Sequence, residues 1–539
     1  MLGLMMHRPL LISGLIEHAA RFHGDTEIVS RNADRSIFRY TYAEAERRAK
    51  RLAKALIAWG IKDGDRVATL AWNNHRHFEL YYGISGIGAV IHTINPRLVP
   101  EQIKFMIEHA EDQALFFDES FLPIVKALAP QLKGVKHFVV MAEDSDDPAF
   151  LSYEALIRNE IPDLEWPQFE EDRASSLCYT SGTAGNPKGV LYSHRSTVLH
   201  AMAIGAPHCF NLDSTDSLCP VVPMFHVNAW GTPYGAAYSG CKFVLPGQYL
   251  DGESLCTLWR DEGVTITLGV PSVWQGALRY VDENNTDFGS LSRVVIGGSA
   301  APKAMIDAFE DRYGVAALHA WGMTEMSPLG TVATFKYKHR DAGKDAKRAI
   351  RSAQGRPPFL VEMKIVDEEG RQQPHDGVAV GELHVRGPWI ASGYFKDEAA
   401  TRKAIDQDGW FKTGDVAAID ADGYLHIKDR SKDLIKSGGE WISSIDLENA
   451  ALAHEDIAYA AVIGVYHPKW EERPLMMVVL KQGRSLDKPA LLATLASRVA
   501  KWWLPDDIIA IEQIPFGPTG KILKTKLREQ FGDYKLPTA

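Results

Sequence analysis

Residues 178–196, "CYTSGTAGNPKGVLYSHRS", crowd Thr180, Ser181 and Thr183 among Gly182, Gly185 and Gly189 and then add one cation, Lys188. Glycines let backbone N–H groups approach oxygens, hydroxyls donate, and a lysine neutralises negative charge, so the stretch has the chemistry of a phosphate cradle. It is not a Walker A loop. That motif needs Gly, four residues and then Gly-Lys-Ser/Thr, whereas Lys188 follows Pro187 and precedes Gly189. A Ser/Gly-rich surface turn has the same composition. The rest of the chain decides between the two.

Working outward, "SLCYTS" before the loop is one of many short apolar runs, with "DRVATLAW" (65–72), "QALFFD", "VKHFVVM", "KFVLP", "VTITLGV" and "RVVIGGS". Helical segments separate them. Residues 41–60 open with Thr41 and Glu44 in capping-box spacing, carry Ala45, Ala49, Leu52 and Leu56 on one face, and end at Gly60. Arg47, Arg48, Lys50 and Lys54 fall largely to solvent on this pattern. Residues 81–95 read as a small-residue helix running into another strand. Such alternation predicts α/β architecture with largely parallel strands buried on both faces.

After about residue 355 the texture changes to alternating strands joined by Asp-Gly and Glu-Gly turns, as in "VEMKIVDEEGRQQPHDGVAVGELHVRGP", which suggests antiparallel hairpins or a small barrel. A second shift follows "DRSKDLIKSGGEWISS", and the last hundred residues read as a compact α+β unit. The boundary is placed at Lys432, giving a body over 1–431 and a cap over 432–539.

Composition narrows the class. The 539 residues suit two to four domains, and 59 basic against 69 acidic residues, a net charge of −10, argue against non-specific nucleic-acid binding. Five cysteines at 178, 209, 219, 241 and 256 include no CxxC pair, so neither a disulfide framework nor a zinc site is indicated and a reducing cytoplasm is the natural compartment. His7, Arg8 and Pro9 interrupt the apolar N-terminus, whose run is about half of the ~20 residues a membrane span requires. The first 25 residues are read as a helix packed on the body.

Other segments share the loop's character, and each has an ordinary reading by itself. "HAWGMTEMSP" (319–328) offers Thr324 and Glu325 for a phosphate and a Mg²⁺ ion, or a helix cap. "VIGGSA" (295–300) runs a strand into Gly297, Gly298 and Ser299, a backbone against which a flat ring could stack or an ordinary turn. "WFKTGDVA" sets Asp415 at a strand end, suited to a ribose diol or to a turn. "GPTGKILK" (517–524) presents Lys521 after glycines.

In this order and at these separations, "YTSGTAGNPKG", "GMTE", "WFKTGD", "DRSKDLIKSGG" and "PTGKILK" resemble the acyl-adenylate-forming enzymes: acyl-CoA synthetases, firefly-type luciferases and nonribosomal-peptide adenylation domains. The resemblance covers nearly the whole chain. It implies two flavodoxin-like subdomains and a distorted barrel as the body, with a small mobile cap. It also implies that a carboxylate attacks the α-phosphorus of ATP to give acyl-AMP and pyrophosphate, after which a thiol displaces AMP.

By resemblance, Thr180, Ser181, Gly182, Thr183, Ala184, Gly185 and Lys188 hold the β- and γ-phosphates, although the family usually carries a hydroxyl where this chain has Ala184. Lys521 bridges the acid and the α-phosphate, Thr324 touches phosphate and Glu325 holds Mg²⁺. Asp415 and Arg430 bind the ribose, and Gly297, Gly298, Ser299, Ala320, Trp321, Gly322 and Met323 frame adenine. Rotation of the cap about Lys432 then brings Lys436, Gly438, Gly439, Glu440 and Trp441 to CoA. "PMFHVNAW" (223–230) matches the segment that controls the pantetheine tunnel, with His226 at the controlling place. The acid is expected among His226, Val227, Trp230, Gly297, Gly322, Met326 and Pro328.

Asn228 and Trp230 offer no carboxylate for an amino acid's ammonium, and no carrier domain is appended, which argues against a nonribosomal adenylation domain. A non-catalytic scaffold would not need Lys521, Glu325, Asp415 and Arg430 together. The runs "ATLAWNNHRHFELYYGISGIGAVIHTINPRL" and "SKDLIKSGGEWISSIDLENA" further resemble bacterial 3-methylmercaptopropionate–CoA ligases of dimethylsulfoniopropionate catabolism and the related medium-chain fatty acid ligases. The expected partners are a small carboxylic acid, ATP and CoA, with neither nucleic acid nor a membrane span, in a homodimer.

Overall fold

Short runs rich in Val, Ile and Ala, apolar on both faces, are stable only in a sheet covered on both sides. The computed structural model describes residues 1, 3–180, 187–438, 440–517 and 521–539, and it sorts these runs into two large sheets. The first has the order Leu151–Ser152, His137–Val140, Ala114–Phe117, Arg66–Leu70, Val90–Thr93, Ala174–Tyr179 and Gly189–Ser193. Its pairings are parallel until the last, where Ala174–Tyr179 and Gly189–Ser193 run antiparallel. The hydroxyl-rich stretch is therefore flanked by two paired strands. A Walker A loop instead joins a strand to a helix.

The second sheet orders Leu329–Val332, Ala316–Gly322, Arg293–Ile296, Ile266–Gly269, Ser217–Pro220, Lys242–Leu245, Glu27–Arg31 and Ile37–Thr41. Only the outermost pair at each end is antiparallel. A third, four-stranded sheet takes Glu362–Val366, Gly381–Arg386, Phe411–Ile419 and Leu425–Arg430 in chain order, antiparallel throughout. Between Arg430 and Ile435 the chain changes sheets. Five strands from Ile435 onward, with helices Ser444–Ala451, Lys488–Ala496 and Lys524–Phe531, form a separate sheet with its own apolar clusters.

Three local expectations are corrected. The N-terminal helix starts only at Ile12, and Met1, Leu4, Met5 and Met6 are exposed. An apolar run without a surface to cover does not by itself nucleate a helix; packing begins where Leu10 N–H meets Glu171 and Ile12 N–H meets His194. The capping box at Thr41 and the buried face of helix Tyr42–Ala58 are as read, but Arg48 is not a solvent residue. Its guanidinium lies 2.8 Å from Glu79 and 2.7 Å from Glu154. Glu79 comes from the facing helix His75–Ser85 and is fully buried, and a carboxylate there needs a cation.

Asp415, thirdly, lies inside strand Phe411–Ile419 and not at its end. The preceding Gly414 has φ +71°, and the register slips nearby on both neighbouring strands. That glycine marks a bulge where the sequence suggested a turn. All five cysteines are buried free thiols. Among the described residues no helix is long and apolar enough to cross a membrane.

Candidate active site

Strand Arg293–Ile296 ends in Gly297, where a Cβ would come 2.7 Å from the Trp230 ring and 3.2 Å from the Ala320 carbonyl. Only glycine allows that approach. Gly298 follows at φ +81°, and Ser299 is exposed. The neighbouring strand Ala316–Gly322 delivers Ala320 and Trp321 to the same end of the sheet. The Trp321 indole N–H donates to Asp415 Oδ2 at 3.0 Å. Gly322 is also obligatory, since a Cβ would sit 1.9 Å from the Pro328 carbonyl, which accepts from Met323 N–H at 3.1 Å.

This close return shapes the turn Thr324–Met326 and buries Thr324 and Glu325. The Thr324 carbonyl accepts from the Tyr192 hydroxyl at 2.5 Å, and the Glu325 carbonyl accepts from Ala391 N–H at 2.7 Å. Tyr394 donates its hydroxyl to Glu325 Oε1 at 2.7 Å, while the Lys188 ammonium lies 4.8 Å from the centre of the same ring. One tyrosine thus links the loop's lysine to the acidic turn. Thr180 N–H donates to the Lys188 carbonyl and Lys188 N–H to Thr180 Oγ1, closing the base of the loop. Ser181, Gly182, Thr183, Ala184 and Gly185 lie outside the described residues, as does Gly439.

Asp415 Oδ1 is 2.8 Å from Arg430 Nε. Burial raises the Asp415 pKa, and Arg430, the Trp321 indole and Lys521 offset it. Lys521, from the C-terminal unit, lies in the same field. Burial and then Arg430 push its pKa down to about 8, with Asp415 and Glu325 pulling the other way. His226 is pushed down to about 4 by burial and by Lys521, so its ring is neutral at pH 7. Lys521 thus feels the charges of Asp415, Arg430 and Glu325 and itself acts on His226, although the chain places these residues far apart in sequence.

His226 precedes a rare backbone feature. Val227, Asn228, Ala229 and Trp230 all have positive φ, from +48° to +57°, and form a left-handed turn closed by Gly231. Left-handed residues other than glycine cost about 1–2 kcal/mol each. Strain of that size is held by the surrounding structure, and it clusters at functional sites. Val227 and Trp230 pack in the main core with Val295, Leu318 and Ala320, whereas Met326 has no accessible surface and packs with Trp321 and Trp389. Pro328 is likewise buried.

The CoA candidates belong to the C-terminal sheet. Lys436 and Trp441 occupy the hairpin Ile435–Ser437 and Glu440–Ile442, with the Lys436 ammonium 4.5 Å from the Trp441 ring centre. Gly438, at φ +59°, donates to the Trp470 carbonyl at 2.8 Å. Burial lowers the Lys432 pKa at the sheet change. Tyr394, Tyr192 and Trp470 were not singled out from sequence. Each acts through a partner more than 30 positions away, and no spacing rule marks such a pair.

The AMP-binding enzyme family matches residues 15–395, and the AMP-binding enzyme C-terminal domain matches 446–521. The chain belongs to the AMP-binding enzyme family. Among the relatives of this family member is a 3-methylmercaptopropionyl-CoA ligase of Ruegeria lacuscaerulensis, 53% identical over 540 residues and 99% of both chains. A medium-chain-fatty-acid–CoA ligase of Ectopseudomonas oleovorans is 51% identical over 99% of this chain and 98% of the other. The crystal structure of the anthranilate CoA ligase AuaEII with anthranoyl-AMP superposes with a TM-score of 0.87 at 24% identity, covering 97% of this AMP-binding enzyme and 98% of that chain, and so shares its fold.

Proposed function

We propose that this AMP-forming acid–CoA ligase takes 3-methylmercaptopropionate, joining it to CoA through an acyl-AMP intermediate with release of pyrophosphate and AMP. The observation that carries the acid is end-to-end identity of 53% with a ligase of that name. The medium-chain fatty acid reading is the second, on 51% identity over nearly the same length.

In the adenylation step two anions meet, so cations must sit on both reactants and on the charge that develops at phosphorus. Lys521 supplies one of them beside Asp415, and Arg430, paired with Asp415, serves the ribose. Thr180 and Lys188 close the base of the phosphate loop, and Thr324 faces phosphate from the opposite turn. Asp415 keeps lone pairs on both oxygens for a ribose diol even with Arg430 and Trp321 attached. Gly297, Gly298 and the Ala320–Met323 backbone frame the base.

Glu325 fits a Mg²⁺ site: it is buried with Oε1 accepting from Tyr394, and Mg²⁺ on a nucleotide typically uses one or two carboxylates, the phosphates and water. When bound, the ion neutralises phosphate charge. Neutral His226 carries no charge to compete for the acid, and the family resemblance assigns it the thiol's entrance. Rotation about Lys432 exchanges Lys521 for Lys436, Gly438 and Trp441 in the thiol step. A cytoplasmic location, which the buried free thiols support, and a homodimer complete the proposal.

The test is kcat/KM for CoA-dependent AMP release with 3-methylmercaptopropionate and straight acids from C2 to C12. A thioether at an aromatic edge gains about 0.3–1.5 kcal/mol, so a several-fold preference over butyrate and valerate is expected, with failure beyond about eight carbons. A maximum at C10 or longer establishes the fatty-acid reading instead.

A further inference from the structure

The left-handed turn at Val227–Trp230 runs against its own sequence. A β-branched Val and a bulky Trp are poor residues at positive φ, and of the four only Asn228 is of a type that tolerates it. The conformation must therefore be imposed by tertiary bonds. They converge on the Asn228 side chain, which is 4% exposed. Its Nδ2 donates to Ser176 Oγ at 3.0 Å, its Oδ1 accepts from the Cys178 thiol at 3.3 Å, and it shares with the Met224 carbonyl, at 2.5 Å, the proton of the Tyr81 hydroxyl, 3.1 Å away. Ser176 and Cys178 stand on strand Ala174–Tyr179, which leads into Thr180, and Tyr81 on helix His75–Ser85.

Two further bonds close the turn: Gly231 N–H donates to the Asn228 carbonyl at 2.9 Å and the Thr232 hydroxyl to the Ala229 carbonyl at 2.8 Å. Where the turn ends, the Trp230 ring lies flush with Gly297, with no room for a Cβ between them.

We propose that Asn228 is a specificity-determining positioning residue: by locking the left-handed turn to the first sheet it fixes Trp230 against Gly297 and so limits the length of acid the pocket accepts. This rests on the reading of Trp230 as a wall of the acyl pocket. Without Asn228 the turn relaxes toward ordinary backbone, Trp230 leaves Gly297, and space opens along the strand end. A purely structural role would lower stability and slow every acid alike.

The experiment measures kcat/KM for acids from C4 to C12, with the KM for ATP, in Asn228→Ala, Trp230→Ala and the double variant. Trp230→Ala should raise C8–C12 relative to butyrate by about tenfold or more, the scale on which pocket shape discriminates methylenes. Asn228→Ala should shift the profile the same way but less, with the KM for ATP unchanged. The double variant should go no further than Trp230→Ala. An even loss across all acids in Asn228→Ala, or a double variant in which the two shifts add, overturns the role of Asn228 while leaving Trp230 as the wall. An unmoved profile in Trp230→Ala removes the pocket reading and the inference with it. Should Asn228→Ala not fold, Ser176→Ala removes the acceptor of the Asn228 amide. It should produce a smaller shift of the same sign, and no shift overturns the proposal.

Discussion

In the proposed mechanism Lys521 serves the adenylation step, and its surroundings make its charge conditional. Desolvation and Arg430 bring its pKa to about 8, far below a free lysine, so the cation proposed for adenylation is present below that pH and lost above it. The kcat/KM profile for the acid should therefore fall on the alkaline side near pH 8. Lys521→Arg, which stays charged, should remove that limb at a reduced rate; a limb near pH 10 in the wild type would contradict the assignment. Lys521→Ala should cut ATP–pyrophosphate exchange by about 10²–10³ while thioester formation from supplied acyl-AMP survives. Equal loss in both half-reactions would sink the idea that this lysine serves only the first.

Helices Tyr42–Ala58 and His75–Ser85 pack around charge as well as around Leu52 and Leu56. Glu79 is fully buried, held by Arg48 and by the Tyr153 hydroxyl at 2.7 Å. Removing one partner of a buried pair leaves an uncompensated charge, a loss of about 3–5 kcal/mol. Arg48→Met should accordingly lower the thermal transition by several degrees. Arg47→Met, one position along on the exposed face, should change stability by no more than ~0.5 kcal/mol. Matching losses in calorimetry would show that the Glu79 contact carries no weight.

Near Lys432 the body residue Asp429 bonds into the C-terminal unit, and the bonds of Lys524 and Arg528 stay within that unit. Asp429, the residue before Arg430, accepts from Ser444 N–H at 2.7 Å and from the Ser444 hydroxyl. Lys524, three residues beyond Lys521, donates to the same hydroxyl and lies 2.8 Å from Glu448. Arg528 pairs with Asp433 at 2.7 Å. The proposed rotation about Lys432 would break the Asp429–Ser444 contact. A hydrogen bond to a charged group is worth about 1.5–3 kcal/mol. Ser444→Ala should therefore depress pyrophosphate exchange about tenfold more than thioester formation from acyl-AMP. A parallel fall in both would mean that the contact supports folding and does not set the domain arrangement.

Alternating buried runs, the capping box at Thr41 and the change of texture after residue 355 are local signals. Strand, helix and hairpin preferences act over a few residues, and they were enough to read an α/β body followed by an antiparallel unit and an α+β cap. The ordered motifs around Thr180, Glu325, Asp415 and Lys521 named the chemistry for a related reason: each is a short stretch whose residue types are constrained together. Other features are not local. Gly414 reads as a turn until its partners on two neighbouring strands make it a bulge, and Arg48 reads as solvated until Glu79 arrives from another helix. The Tyr394 link between Lys188 and Glu325, the indole of Trp321 on Asp415, and the left-handed turn imposed through Asn228 all join positions tens to hundreds of residues apart. Periodicity and propensity describe how a segment behaves alone, whereas the desolvation and hydrogen bonds that create these features exist only once distant segments have packed together.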